Sequence, residues 1–234
     1  MVIGADHPPM RVLRGRAATV EADRERTGAM LARTGATGEP AVRVWTPHRQ
    51  VAFGRRDAAE SGYDRARAVA RERGFEPVER RVGGRAVAHT GSTLAFARAV
   101  PVADARAGLS ERYESTAERV RRALSAVGVE TTTGEPPASF CPGSHSLRAD
   151  GKLVGIAQRV RTDAALIAGC VVIADREALA SVLAPVYDAL GRPFDPESVG
   201  SVAAAGGPAE PERVRKAVER ELIDADATVC RRAV

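Results

Sequence analysis

The chain has 234 residues, of which 44% are hydrophobic and 28% are charged, a balance typical of a globular protein with a buried core. Its net charge of +5 arises from 35 basic and 30 acidic residues that are interspersed along the chain, and only 4% of the residues are aromatic. This composition disfavours both a basic stripe for duplex nucleic acid and an aromatic platform for single strands.

Targeting, membrane and metal signals are missing from the sequence. No stretch approaches the ~20 apolar residues of a membrane-spanning helix, and the N-terminal region lacks the apolar core of a signal peptide. Cys141, Cys170 and Cys230 are odd in number and widely spaced, which fits neither a disulfide framework nor a zinc site. We therefore expect a cytoplasmic protein with no nucleic-acid partner, no membrane partner and no resident metal.

Hydrophobic periodicity and the positions of glycine and proline predict strands in pairs and runs, interrupted by single helices. In chain order, the predicted strands are 10–16, 41–45, 50–53, 77–81, 86–89, 94–100, 129–133, 147–149, 153–161 and 165–173. The predicted helices are 17–34, 64–73, 109–127, 176–190 and 210–223. This order favours an α+β fold with mostly antiparallel, mixed sheets flanked by helices.

The chain is predicted to divide near residue 190. Residues 10–190 contain all of the predicted strands and form the main domain. Residues 191–234 form a C-terminal helical extension that is too short for an independent domain. Cys230 falls in a tail that is expected to be frayed.

The segment from residue 79 to residue 91, ERRVGGRAVAHTG, has the composition of an anion site. Glycines let backbone N–H groups approach an anion, and arginines supply planar donors for phosphate or carboxylate. The glycine spacing matches neither a P-loop nor a dinucleotide fingerprint, so a tight hairpin with exposed arginines is the alternative. The candidate binding residues are Arg80, Arg81, Gly83, Gly84, Arg85 and His89.

Lys152 is one of only two lysines in a chain that otherwise uses arginine as its base. It follows Gly151 in a polar turn and precedes the apolar segment LVGIAQ. Lysine offers a compact, rotatable point charge where arginine offers a rigid fork, so a site for one small oxyanion favours lysine. Lys216, on a charged helix, carries no such pattern.

The arginine/glycine turn and the Lys152 hairpin together resemble the catalytic domain of the lipoate–protein ligase and octanoyltransferase family, which is related to the biotin–protein ligases. The family pattern has two arginines, a spacer, a glycine run and a histidine, followed 60–70 residues later by Gly-Lys-Leu/Ile-x-Gly-x-Ala-Gln. The chain has RRVGG at 80–84, His89 and GKLVGIAQ at 151–158. The resemblance covers roughly residues 10–190.

The resemblance implies an enzyme that attaches an acyl group to a lysine of a small carrier domain. The acyl chain would lie in an apolar slot on the sheet, bordered by Gly155 and Ala157, with its carboxyl end at Lys152. The Lys152 ammonium would stabilise the negative charge that develops on the acyl carbonyl during transfer. In a ligase, the arginine/glycine turn would bind the adenylate phosphate, with ATP and Mg²⁺ as cofactors.

The chain departs from the ligase pattern at two positions, and the Gly-Gly-Arg version of the glycine run resembles the cysteine-dependent octanoyltransferases instead. Arg85 stands where the ligases carry a third glycine, and Thr90 stands where an acid follows the histidine. The octanoyltransferases also carry a nucleophilic cysteine in the loop before the lysine hairpin, and Cys141 occupies that loop. Cys141 is therefore either the nucleophile or a small buried side chain.

Three functions follow, with lipoate–protein ligase as the leading one. The first alternative is a cysteine-dependent octanoyltransferase that takes octanoyl from acyl carrier protein, and the second is a non-catalytic binder of an acyl carrier. The expected partners are lipoyl carrier domains of 2-oxoacid dehydrogenase or glycine cleavage complexes. The short extension after residue 190 further suggests that the protein needs a separate accessory subunit to activate lipoate, or uses preformed lipoyl-adenylate or an acyl thioester.

Overall fold

The computed structural model describes residues 8–80 and 84–234, so Arg81, Val82 and Gly83 lie outside the described residues. The helices are α1 (Val20–Thr37), α2 (Arg55–Ala58), α3 (Tyr63–Glu72), α4 (Leu109–Ser125), α5 (Arg176–Ala189) and α6 (Pro211–Leu222), with one 3₁₀ turn at Pro196–Ser198. The strands are β1 (Met10–Arg14), β2 (Ala41–Trp45), β3 (Gln50–Phe53), β4 (Glu76–Glu79), β5 (Val87–His89), β6 (Thr93–Pro101), β7 (Thr132–Thr133), β8 (Leu147–Arg148), β9 (Lys152–Val160), β10 (Ala164–Val172) and β11 (Val229–Ala233).

Two mixed sheets form the framework, as the sequence predicted. The larger has eight strands in the order β11-β1-β2-β6-β10-β9-β8-β7, and the smaller has three in the order β4-β3-β5. All neighbours from β2 to β7 in the large sheet run antiparallel, whereas β1 is parallel to both β2 and β11. The predicted α+β class with mostly antiparallel sheets is confirmed.

The large sheet buries a different layer on each face, because side chains alternate along a strand. Large side chains such as Val44, Phe96 and Val154 point to one face and pack against α4 and α6. The other face carries smaller side chains and is covered at one end by α1. The small sheet, with α3 and α5, covers the rest of that second face. The site lies between α1 and the small sheet.

The C-terminal extension takes part in both the sheet and the core. β11 pairs in parallel with all five residues of β1, so the prediction of a frayed tail around Cys230 is wrong. The sequence VCRRA is too polar to signal a strand, and its pairing is set by the backbone of β1. On α6, Val214, Val218 and Leu222 are fully buried in the same core as α4. The division of the chain at residue 190 stays a prediction.

Smaller differences concern element ends. The predicted strand 129–133 is limited to Thr132–Thr133, and the short helix α2 was not predicted. Across residues 8–80 and 84–234, none of the helices combines the length and apolarity needed to cross a membrane.

Candidate active site

A cavity of about 120 Å³ lies on the second face of the large sheet, where its side chains are smallest. Register pairs Cys170 with both Ala95 and Gly155, and Ala168 with Ala157, so five small residues share one region of the sheet face. The lack of bulk at these positions leaves room for an apolar chain. The residues around the cavity are Trp45, Arg80, Val87, His89, Ala95, Phe96, Phe140, Cys141, Gly155, Ile156, Ala157, Ala168, Gly169 and Cys170.

Cys141 reaches this cavity from the loop between β7 and β8, and its thiol is paired with a cation. Its side chain is half-buried, and Nη2 of Arg80 donates a hydrogen bond to its Sγ at 3.0 Å. Arginine is always charged, so this contact places a cation directly against the sulfur. The structure therefore brings together two of the predicted site residues that lie 61 positions apart.

Gly84 supplies the space for this pair. It has a φ of +97°, and a Cβ at that position would lie 2.5 Å from the Cys141 Sγ and 2.6 Å from Nη2 of Arg80. Any side chain would therefore displace the arginine or the thiol. Gly84 is needed here for close approach, whereas the sequence had suggested a role in binding phosphate.

The backbone of Cys141 is held on both sides. Its N–H donates to the Tyr187 hydroxyl at 2.6 Å, and its carbonyl accepts from Nζ of Lys152 at 2.7 Å. The residue has a φ of +43°, in the left-handed region that few non-glycine residues adopt. Burial raises the pKa of Tyr187, so its hydroxyl stays protonated and donates in turn to the Ala86 carbonyl at 3.0 Å.

Lys152 lies beneath this turn, and its ammonium bonds the backbone of two cavity residues, Phe140 and Cys141. The side chain is fully buried, and Nζ donates to Glu135 at 2.9 Å, to the Phe140 carbonyl at 2.9 Å and to the Cys141 carbonyl at 2.7 Å. An ammonium has three donors, so these contacts use all of them. The expected contact between Lys152 and an acyl carbonyl would require one of these bonds to break.

Glu135 is the counter-ion of Lys152, and the sequence analysis did not identify it. Its carboxylate also accepts from Gly143 N at 3.0 Å and from the Ser146 hydroxyl at 3.2 Å. Partial burial by itself would raise the pKa of Glu135, but the bonds from Lys152 and Gly143 hold it below its usual value. A signal was present, because Glu135 is the only acid in the loop 134–146. Tyr187 lies inside a helix, and no sequence feature marked it as a site residue.

His89 contributes a neutral ring to the cavity. Burial, with a smaller contribution from the Arg80 charge, lowers the pKa of His89 to about 4. The ring is therefore uncharged at neutral pH, and Arg80 is the cation beside the thiol.

Arg85 is placed differently from the expectation of a binding residue. Its guanidinium forms ion pairs with Asp57 at 3.2 Å and with Glu60 at 2.7 Å, and Glu60 also pairs with Arg192. These contacts fasten the start of the turn to α2 and do not direct Arg85 into the cavity. Since Arg81 and Gly83 lie outside the described residues, the described part of the turn provides no assembled phosphate site.

The other two cysteines have environments unlike that of Cys141. Cys170 is buried in β10, and burial raises the pKa of its thiol, which keeps it protonated at neutral pH. Cys230 lies on the edge strand β11, away from the cavity. Within residues 8–80 and 84–234, no cluster of His, Cys, Asp and Glu has the geometry to hold a metal ion.

Trp45 is half-buried at the cavity wall. Its indole N–H donates to Asp23 at 2.7 Å, and the buried guanidinium of Arg43 stacks 4.1 Å from its ring centre. Beyond it, a groove of about 560 Å³ continues along α1 and shares Trp45, Arg80 and Ala168 with the cavity. The cavity and the groove therefore border the same three residues.

Comparison with known proteins gives the site a family context. The chain is 35% identical over 127 residues to an octanoyl-[GcvH]:protein N-octanoyltransferase of Exiguobacterium sibiricum, which covers 53% of this chain and 45% of that one. It is 34% identical over 142 residues to the protein of the same name from Kyrpidia tusciae, covering 60% and 49%. The chain thus spans about half the length of the relatives that it matches.

The fold has a solved counterpart. A crystal structure of lipoate-protein ligase A bound with ATP superposes with a TM-score of 0.77, at 20% identity, over 97% of this chain and 89% of that one. Identity this low establishes the fold alone. The sequence profile of the lipoyl protein ligase A/B catalytic domain matches residues 27–223. The chain belongs to the lipoyl protein ligase A/B catalytic-domain family.

Proposed function

We propose that this protein is a cysteine-dependent acyltransferase that moves an octanoyl or lipoyl group to a lysine of a lipoyl carrier domain through a thioester on Cys141. The single observation that carries the proposal is the hydrogen bond from Arg80 to the Cys141 sulfur above an apolar cavity. The names of the matched relatives, octanoyl-[GcvH]:protein N-octanoyltransferase, support the same chemistry.

The first half-reaction would load the enzyme. The Cys141 thiolate attacks the acyl carbonyl of an octanoylated carrier, the S–C bond forms, and the C–N bond to the carrier lysine breaks as its amine takes up a proton. Arg80 is the cation nearest the sulfur, and its Nε is buried without a partner among the described residues. That donor is available for the carbonyl oxygen as it becomes negative.

The second half-reaction would unload it. An unprotonated lysine amine of the acceptor domain attacks the thioester, the N–C bond forms, and the C–S bond breaks to return the thiolate to Arg80. The new amide nitrogen releases its extra proton to solvent, which balances the proton that the leaving amine took from solvent in the first half-reaction. One amide is broken and one is formed, so the exchange needs no ATP. The neutral ring of His89 keeps the acyl path free of a second positive charge.

The acyl chain would lie over Ala95, Ala157 and Ala168, where the sheet face has room. The donor we propose is a GcvH-type glycine cleavage carrier, and the acceptor is a lipoyl domain of a 2-oxoacid dehydrogenase complex. The donor assignment extends the names of the relatives to this chain.

The ligase interpretation, which led from the sequence, has less support. It requires ATP and Mg²⁺ at the arginine/glycine turn, where Arg85 is engaged by Asp57 and Glu60 and Arg80 by Cys141. Its supporting observation is the fold shared with an ATP-bound lipoate-protein ligase. The accessory subunit belongs with this interpretation alone.

Mass spectrometry of an apo lipoyl domain separates the two functions. The protein is incubated with the domain and one of three donors: octanoylated GcvH-type carrier, octanoyl acyl carrier protein, or lipoate with ATP and Mg²⁺. We expect an octanoyl mass gain on the domain from an octanoyl carrier, an octanoyl adduct on Cys141, and loss of both in Cys141→Ser.

Cys230→Ser is the matched control, since it makes the same change away from the cavity and should transfer normally. A gain from lipoate and ATP alone, undiminished in Cys141→Ser, would establish the ligase instead.

A further inference from the structure

One acidic side chain, that of Glu135, lies beneath the loop that carries Cys141 and holds that loop in place. We propose that Glu135 is a positioning residue for Cys141, acting through Lys152. This inference rests on the nucleophilic role proposed for Cys141.

Glu135 accepts hydrogen bonds from residues toward both ends of its loop. Its carboxylate accepts hydrogen bonds from Lys152 Nζ at 2.9 Å, Gly143 N at 3.0 Å, Ser146 Oγ at 3.2 Å and Ser139 Oγ at 3.3 Å. These donors come from the loop on each side of Cys141 and from the start of β9. A single carboxylate therefore fixes the loop to the sheet edge without touching the cavity itself.

Lys152 connects Glu135 to Cys141. Its ammonium is fully buried and bonds the carbonyls of Phe140 and Cys141. A buried cation needs a counter-charge, because an unpaired charge out of water is strongly disfavoured. Without the carboxylate, Lys152 would be an unpaired buried charge, and its charge-assisted bond to the Cys141 carbonyl would be weakened.

Cys141 depends on such a hold because of its backbone. A non-glycine residue at a φ of +43° persists only where the surroundings fix it. Tyr187 binds its N–H, and Lys152 binds both the Phe140 carbonyl and the Cys141 carbonyl, so Lys152 contacts the peptide units before and after Cys141. If the carbonyl is released, the residue can relax to negative φ, which rotates Cβ and carries Sγ away from Arg80.

Two rates measured on full-length variants test the proposal. The first is the octanoylation of Cys141 at saturating donor. The second is the alkylation of Cys141 by iodoacetamide, followed by peptide mass spectrometry. In Glu135→Gln we expect both rates per folded molecule to fall about 10- to 100-fold, since a small misplacement of a reacting group has effects of this size.

The KM for the octanoylated carrier should change little, because Glu135 touches no cavity residue that would bind it. Glu135→Asp, which keeps the charge on a shorter side chain, should restore part of both rates. The matched control is Glu130→Gln, since Glu130 is exposed outside the loop and bonds only Ser125 among the described residues.

Wild-type rates in Glu135→Gln would overturn the proposal, as would a change in KM alone. If Glu135→Gln does not fold, Glu135→Asp carries the test, with reduced rates expected and wild-type rates contradicting it. If the wild type fails to acylate Cys141, the proposed function falls, but alkylation still reports the position of the thiol because it needs no acyl donor.

Discussion

At the scale of single residues, the site is a set of backbone and side-chain contacts around one thiol. Arg80 meets the sulfur, Tyr187 and Lys152 hold the main chain, and Glu135 neutralises the buried ammonium. Each contact joins residues that are distant in sequence or lie in an irregular loop. The sequence singled out Lys152, Arg80 and Cys141 by type and order, but the partner of each was not readable.

The rarity of Lys152 leads to a prediction about its replacement by arginine. Lys152→Arg keeps the charge but places a planar fork in a fully buried position whose three acceptors fit a compact ammonium. We expect acyl transfer, measured by mass gain of the carrier domain, to fall by roughly 100-fold or more. Lys216→Arg, on the exposed face of α6, is the control. Near-normal transfer by Lys152→Arg would remove the residue from the mechanism.

The low pKa of His89 predicts how stability depends on pH. The folded state holds this ring neutral down to about pH 4, whereas the unfolded chain binds a proton near pH 6.5. The unfolded state therefore binds more protons between these values, so the free energy of unfolding falls as the pH is lowered through this window.

For one group this loss is roughly 2 kcal/mol between pH 7 and pH 5. Urea unfolding at the two pH values measures it in the wild type and in His89→Gln. The pH-dependent difference should be smaller by that amount in the variant. An equal difference in both proteins would show that other groups are responsible.

At the scale of elements, the division of the large sheet into two unlike faces creates the site. Strands β6, β9 and β10 carry small residues around the cavity and large ones where α4 and α6 pack. The alternation along each strand was readable from the sequence. Which of the two alternating sets of side chains would line an uncovered part of the sheet depended on where α1 and the small sheet pack.

The role of α6 predicts that the C-terminal extension unfolds with the rest of the chain. Leu222 is fully buried in the core shared with α4, so Leu222→Ala should lower the free energy of unfolding by about 2–5 kcal/mol. Leu109→Ala, at a leucine that is 45% exposed, should change it by less than about 0.5 kcal/mol. Urea denaturation should give a single transition in both variants, and a separate transition for the extension would contradict this prediction.

At the scale of the whole molecule, the fold class, the family and the three central residues followed from the sequence. Hydrophobic alternation and glycine positions predicted the strands from β1 to β10 and the helices α1, α3, α4, α5 and α6, with ends differing by a few residues. The strand β11 escaped because parallel pairing at a sheet edge needs a backbone partner and leaves little trace in side-chain type.

The sequence by itself determined that a rare lysine, an arginine/glycine turn and a loop cysteine occur in the order of an acyl-transfer family. Only the tertiary structure decided what each one touches. In the folded protein, Arg80 contacts the Cys141 sulfur. Lys152 binds the Cys141 carbonyl and Glu135. Arg85 forms ion pairs with Asp57 and Glu60. The physical reason is that a charge in a buried site takes its partner from whichever strand or loop packs beside it, and that neighbour is fixed by the fold.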